Sequence, residues 1–131
     1  DRFYIAGEQA LVNVFQKDAN YQNLPEQSIF LLSSEHCLTE HALSACKLAD
    51  KSRIHSFSAS SLSTLVQMTA FHQGLTFLPE MAVNKDFGKS EGLTIASLNR
   101  DYYREIAVVW RKTSMRTTLF NQLSSIVSDL L

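Results

Sequence analysis

Two cysteines and their neighbours carry the clearest capacity for chemistry in this sequence. Cys37 and Cys46 stand nine residues apart in a stretch whose pattern predicts one helix from about Ser33 to near Asp50. At ~1.5 Å rise per residue, such a helix separates them by ~13.5 Å along its axis and turns them to opposite sides. A disulfide needs Cα atoms within ~7 Å, so the thiols can pair only if the segment between them unwinds. Their surroundings differ as well. Cys46 shares its side with Ala42, Leu43 and Ala49 and reads as a small buried hydrophobe. Cys37 shares its side with His41 and Ser44. It lies in the first turn, where the helix dipole and free backbone N–H groups favour a thiolate. His36 adds to that effect when protonated.

Spacing alone leaves blander readings open. Cysteines of intracellular domains are commonly inert core residues. Cys37 with His41 and His36 has some metal-ligand character, but no second ligand cluster follows elsewhere in the chain. His55 and His72 read as ordinary surface or satisfied histidines. Ser60, Ser61 and Thr64 sit at a helix start, where they either cap the helix or hold a small anion; the cap is the simpler reading. Arg111 ends an apolar strand and faces either the same cleft or solvent. No GxGxxG, GxSxG, HExxH or Walker A pattern is present.

Short apolar runs alternating with helix-period segments must position these residues. Strands are expected at 3–6, 10–15, 29–32, 54–58, 75–78, 93–96 and 105–110. One helix follows Ser33-Ser34-Glu35, and another follows Ser60-Ser61, where Leu62, Leu65, Val66 and Thr69 keep a helical period. Gly74 stands where the left-handed residue after a helix belongs, and Pro79 closes the next strand. A short helical turn runs through Met81 and Val83, and 84–92 forms a loop. Met115, Leu119, Leu123, Ile126 and Leu130 form an apolar stripe of a terminal helix. Strands alternating with helices predict an α/β fold with a mostly parallel twisted sheet flanked by helices. Ligands of such sheets gather at the carboxyl ends of strands. The junctions at 33–37 and 58–61 should therefore open on one edge.

With 131 residues, 45% hydrophobic and 19% charged, the chain fits one globular domain and excludes disordered or collagen-like classes. No apolar run exceeds five residues, against the ~20 of a membrane span. Twelve Lys and Arg against 13 Asp and Glu leave a net charge of -1. That balance lacks the basic footprint of a nucleic-acid binder. The start at Asp1-Arg2-Phe3-Tyr4 shows neither an initiator Met nor a signal pattern, which suggests a part of a longer chain. Two cysteines are too few for a secreted disulfide scaffold, so the cytoplasm is the default compartment.

The stretch Leu32-Ser33-Ser34-Glu35-His36-Cys37-Leu38 with Cys46 nine residues on resembles the peroxide-sensing segment found among LysR-type transcriptional regulators. Ser61-Leu62-Ser63-Thr64-Leu65-Val66, Gly74-Leu75-Thr76-Phe77-Leu78-Pro79 and Val108-Val109-Trp110-Arg111 look like elements that LysR regulatory domains share, so the resemblance covers nearly the whole chain. It implies a periplasmic-binding-protein-like fold, with 1–131 a partial regulatory domain. Within it, 1–111 would be the core of the second subdomain, and 112–131 a terminal helix returning to the first. It implies that Cys37 is oxidised by hydrogen peroxide and Cys46 resolves it as a reversible disulfide, refolding the segment between. His36 matches the histidine before the reactive cysteine, and Arg111 an arginine near it. The family has an arginine and an aspartate where this chain has Thr39 and Glu40, which puts a nearby cation in doubt. Those two residues, with Ser60, Ser61 and Thr64, are the remaining candidate ligand contacts.

The same resemblance implies transcription regulation under oxidative stress rather than enzymatic turnover, with no cofactor or metal. Glutaredoxin or thioredoxin would act as reductant. It also implies self-association as a dimer, and as a tetramer of the full-length protein. DNA would be bound only through a domain preceding Asp1. A LysR-type small-molecule effector domain with incidental cysteines is the alternative. The terminal apolar stripe needs a cover, either its own sheet or a second chain.

Overall fold

The computed structural model describes residues 1–18, 21–45, 50–98 and 102–130. In chain order the elements are β1 (Phe3–Gly7), α1 (Gln9–Asp18), β2 (Ile29–Leu32), α2 (Cys37–Ala45), β3 (Ile54–Ala59), α3 (Leu62–Phe71), β4 (Leu75–Pro79), α4 (Glu80–Val83), β5 (Thr94–Ser97) and α5 (Thr117–Leu130). The five strands form one sheet in the order β3-β2-β4-β1-β5. β2 pairs in parallel with β3 and β4, whereas β1 runs antiparallel to both β4 and β5. Four strands thus share a direction and β1 alone is reversed, so the α/β sheet is mixed rather than built of parallel pairs throughout.

Alternation along the strands feeds two faces. Phe3 and Ile5, Ile29 and Leu31, and Leu75 and Phe77 pack with Val12 and Phe15 of α1 and Ala42 of α2. On the opposite face Ala6 and Leu78 pack with Val66 of α3, and Phe30 and Leu32 pack with Leu65. All four residues of β2 are buried, as expected of a central strand covered on both sides.

Several expectations change. The strand expected at 10–15 is helix α1. Leu11, Val12 and Phe15 form its inner side, and the Glu8 carboxylate accepts the Leu11 amide at 3.1 Å, capping the helix start. The left-handed residue after α3 is Gln73, at φ 52°, and not Gly74. Gly74 is required by space: a Cβ there would lie 2.5 Å from the Phe30 ring and 2.7 Å from the Ser28 carbonyl oxygen. The segment expected as a strand at 105–110 pairs with no strand among the described residues, and Ile106, Val108 and Val109 are exposed. A strand needs a neighbour for its ladder, and the described chain offers none. The apolar stripe of α5 is likewise uncovered, with Leu119, Leu123, Ile126 and Leu130 exposed. Its own sheet is therefore not the cover.

The two ends of the sheet-bearing region meet. Phe3 N–H donates to Tyr102 O at 2.9 Å and Arg104 N–H to Asp1 O at 3.0 Å, around an antiparallel bridge between Arg2 and Tyr103. The buried Asp1 carboxylate takes Arg104 Nε at 2.8 Å and Nη2 at 2.7 Å on one oxygen, and the Met81 amide at 3.0 Å on the other.

Candidate functional site

Parallel pairing of β2 with β3 brings both strand-to-helix junctions to one edge, and hydrogen bonds tie them together. Ser33 N–H donates to Ala59 O at 2.9 Å, joining the strand ends. The turn from β2 into α2 then closes with His36 N–H to Ser33 O at 3.0 Å and Thr39 N–H to His36 O at 2.9 Å. His36 Nε2 lies 3.1 Å from Ser60 O. A carbonyl oxygen only accepts, so Nε2 is the nitrogen that donates to it.

Cys37 opens α2 and is a free, exposed thiol. The exposed carboxylates of Glu35 and Glu40 stand on either side of it in sequence, Glu40 within the first turn of the helix. His41 and Ser44 share the exposed side of α2, as the helical period requires, while Ala42 is buried. Thr39 points inward: it is 8% exposed, and its hydroxyl donates to Leu32 O at 2.8 Å. Cys46 lies outside the described residues.

The serines of the second junction act as a helix cap. Ser61 Oγ accepts the Thr64 amide at 3.2 Å and lies 2.9 Å from Thr64 Oγ1. Ser60 contributes its carbonyl to His36. Arg111 sits in a separate cleft of about 510 Å³ with Trp110, Thr113 and Phe120, to which α2 contributes no lining residue. The Trp110 and Phe120 rings stack there at 5.7 Å.

A second cleft, of about 450 Å³, opens at the other edge of the sheet, beside the starts of β2 and β3. Phe30 stacks on His55 at 4.4 Å and on His72 at 5.5 Å within it. Both histidines are therefore packed against an aromatic ring, and His55 Nδ1 accepts the Phe57 amide at 3.0 Å. The sequence holds no local sign of this stack, because the three rings come from β2, β3 and the end of α3. Glu35, two residues before Cys37 and exposed, is a carboxylate the sequence reading did not single out. Among the described residues no group of three or more His, Cys, Asp or Glu is placed to hold a metal ion, and no helix is long and apolar enough to cross a membrane.

Comparison with known proteins adds to this geometry. Residues 5–131 match the family model described as LysR substrate binding domain. The chain is 34% identical over 103 residues to the HTH-type transcriptional regulator EstR of Acinetobacter baylyi, covering 78% of this chain and 34% of that protein. It is 34% identical over 103 residues to the hydrogen peroxide-inducible genes activator of Haemophilus influenzae, covering 79% and 34%. Among solved structures, the reduced form of the regulatory domain of OxyR2 from Vibrio vulnificus is 45% identical with a TM-score of 0.89, over 100% of this chain and 62% of that one. The chain thus spans about a third of the length of these two curated relatives.

Proposed function

The chain belongs to the LysR substrate-binding domain family, and on that footing we propose that it is the redox-sensing region of a LysR-type transcription regulator that detects hydrogen peroxide. The observation that carries this reading is the exposed free thiol of Cys37 at the start of α2, with His36 beside it. The names of the Haemophilus influenzae activator and the Vibrio vulnificus regulatory domain support it.

In the proposed reaction the Cys37 thiolate attacks one peroxide oxygen, the O–O bond breaks, and the departing hydroxide takes a proton to leave as water. Cys37 becomes a sulfenic acid. The Cys46 thiol then attacks that sulfur, the S–O bond breaks, a second water leaves and a disulfide forms. Two thiols lose two electrons and one peroxide gains them. A dithiol reductant of the glutaredoxin or thioredoxin type returns both thiols, so the event is stoichiometric sensing and not turnover. Arg111 would support the thiolate once its segment is seated by the remainder of the regulatory domain. In this reading 1–111 is the core of the second regulatory subdomain, and 112–131 docks on the first. DNA binding and assembly into dimers or tetramers belong to the full-length protein, working in the cytoplasm. A small-anion effector site at Ser60, Ser61 and Thr64 has less support, because the Ser61 and Thr64 side chains already face each other in the α3 cap.

The test is differential thiol alkylation with intact-mass and peptide mapping, before and after roughly equimolar peroxide, one oxidant per pair of thiols. A Cys37–Cys46 disulfide that mild reductant reverses is expected, and Cys37→Ser should abolish it. Two thiols that stay free in the full-length protein would sink the proposal.

A further inference from the structure

The proposed disulfide cannot form while α2 is intact. α2 runs from Cys37 to Ala45, eight steps of ~1.5 Å, or ~12 Å along the axis. Adjacent Cα atoms are ~3.8 Å apart. Wherever Cys46 goes, its Cα therefore stays ~8 Å or more from that of Cys37, beyond the ~7 Å reach of a disulfide. The second chemical step must wait for α2 to open.

Among the described residues, little holds the helix closed. Ala42 is its one fully buried apolar residue among those described, with Leu38 and Leu43 partly buried against the same core. The polar tie is the Thr39 hydroxyl on Leu32 O, 2.8 Å long and buried. Among the described residues it is the only side-chain hydrogen bond between α2 and the sheet. It reaches from the first turn of the helix to the last residue of β2, so α2 cannot unwind at its Cys37 end without breaking it. We infer that Thr39 is a positioning residue: its hydroxyl latches α2 onto the end of β2 and so sets how fast an oxidised Cys37 meets Cys46. This rests on the peroxide-sensing reading. The Thr39 hydroxyl is buried on Leu32 O while Cys37 is exposed, so Thr39 is no ligand contact here and the latch acts only on the condensation that releases the second water.

Thr39→Val keeps the shape of the side chain and leaves the Leu32 carbonyl without its buried donor while α2 is closed; water satisfies it once α2 opens. Loss of such a bond should raise the open population about five- to thirty-fold. The experiment follows both steps in the full-length protein by rapid quench. Dimedone captures the Cys37 sulfenic acid, and non-reducing peptide mapping records the disulfide. In Thr39→Val the sulfenic acid should form at the parental rate and the disulfide about five- to thirty-fold faster. Thr39→Ser, which keeps the hydroxyl, should restore the parental condensation rate. Ala42→Gly loosens the same helix without altering the latch and should also speed condensation. Faster condensation in Ala42→Gly but not in Thr39→Val would overturn the latch, as would equal rates for Thr39→Val and Thr39→Ser. Absence of any sulfenic acid in the parent would instead overturn the sensing reading itself.

Discussion

Gly74 and Gln73 form a pair of substitution sites with opposite expected signs. A Cβ at Gly74 would meet two Phe30 ring carbons at 2.5 and 2.7 Å and the Ser28 carbonyl oxygen at 2.7 Å. Neither neighbour yields easily. The Phe30 ring is buried and stacked on His55 and His72. The Ser28 oxygen accepts the Leu75 amide at 2.8 Å, the bond that starts β4 beside β2. Overpacking costs about 1–3 kcal/mol in general, and with both neighbours held Gly74→Ala belongs at about 2–3 kcal/mol. In a chain of 131 residues each kcal/mol moves Tm by about 4 °C, which gives a fall of about 8–12 °C. Gln73 holds a left-handed backbone, a cost of about 1–2 kcal/mol for a residue with a Cβ. Glycine there relieves it but loses about 0.5–1 kcal/mol in backbone entropy. Gln73→Gly should thus raise stability by about 0.5–1 kcal/mol and Tm by about 2–4 °C. Thermal unfolding by far-ultraviolet circular dichroism, with urea midpoints alongside, measures both. A Gly74→Ala variant melting within about 2 °C of the parent would refute the packing argument, and a destabilised Gln73→Gly would refute the assignment of strain. The cleft lies at the edge of the sheet away from Cys37, so iodoacetamide labelling of that thiol well below Tm should be unchanged.

Two further outcomes are expected. Glu35→Gln removes a negative charge from a residue whose Cα lies at most ~7 Å from that of Cys37; neutral-pH iodoacetamide labelling of the thiol should quicken about two- to threefold at low salt and lose most of that gain in 1 M salt, whereas a salt-independent change would defeat the electrostatic account. At Asp50, the Ser52 hydroxyl first, then the Ser52 amide and the Arg53 guanidinium, hold the carboxyl below its ordinary range. A lowered folded value adds stability above the unfolded value and loses it as pH falls through the folded one. Asp50→Asn should therefore be less stable than the parent at neutral pH, with urea midpoints converging below the ordinary carboxylate range, and a pH-independent gap would contradict it.

What the sequence shows of this fold is what local pattern decides. The apolar run Ile29 to Leu32, the Ser61 cap with its helix, and the stripe from Leu119 to Leu130 are each self-contained signals, and each matches an element. Ala10 to Phe15 reads equally well at period two or at helical period, and the balance rests on the Glu8 cap and on which side the sheet covers. Extended propensity at 105–110 is real, but a ladder needs a partner that local pattern does not supply. At the site, Cys37, His36 and the shared edge of the two junctions follow from spacing, from resemblance and from the parallel arrangement of β2 and β3. The inward turn of Thr39 toward Leu32 does not, since the six residues between them fold back through a turn. Nor does the placement of Arg111, which depends on a segment outside the sheet.

The meeting of Asp1 and Arg104 has a mechanical consequence. Segments 1–3 and 102–104 run antiparallel side by side, cross-linked by an ion pair in which two guanidinium nitrogens of Arg104 reach one oxygen of Asp1 and by backbone hydrogen bonds. Paired in this way, neither segment can separate from the other without breaking the ion pair and the hydrogen bonds.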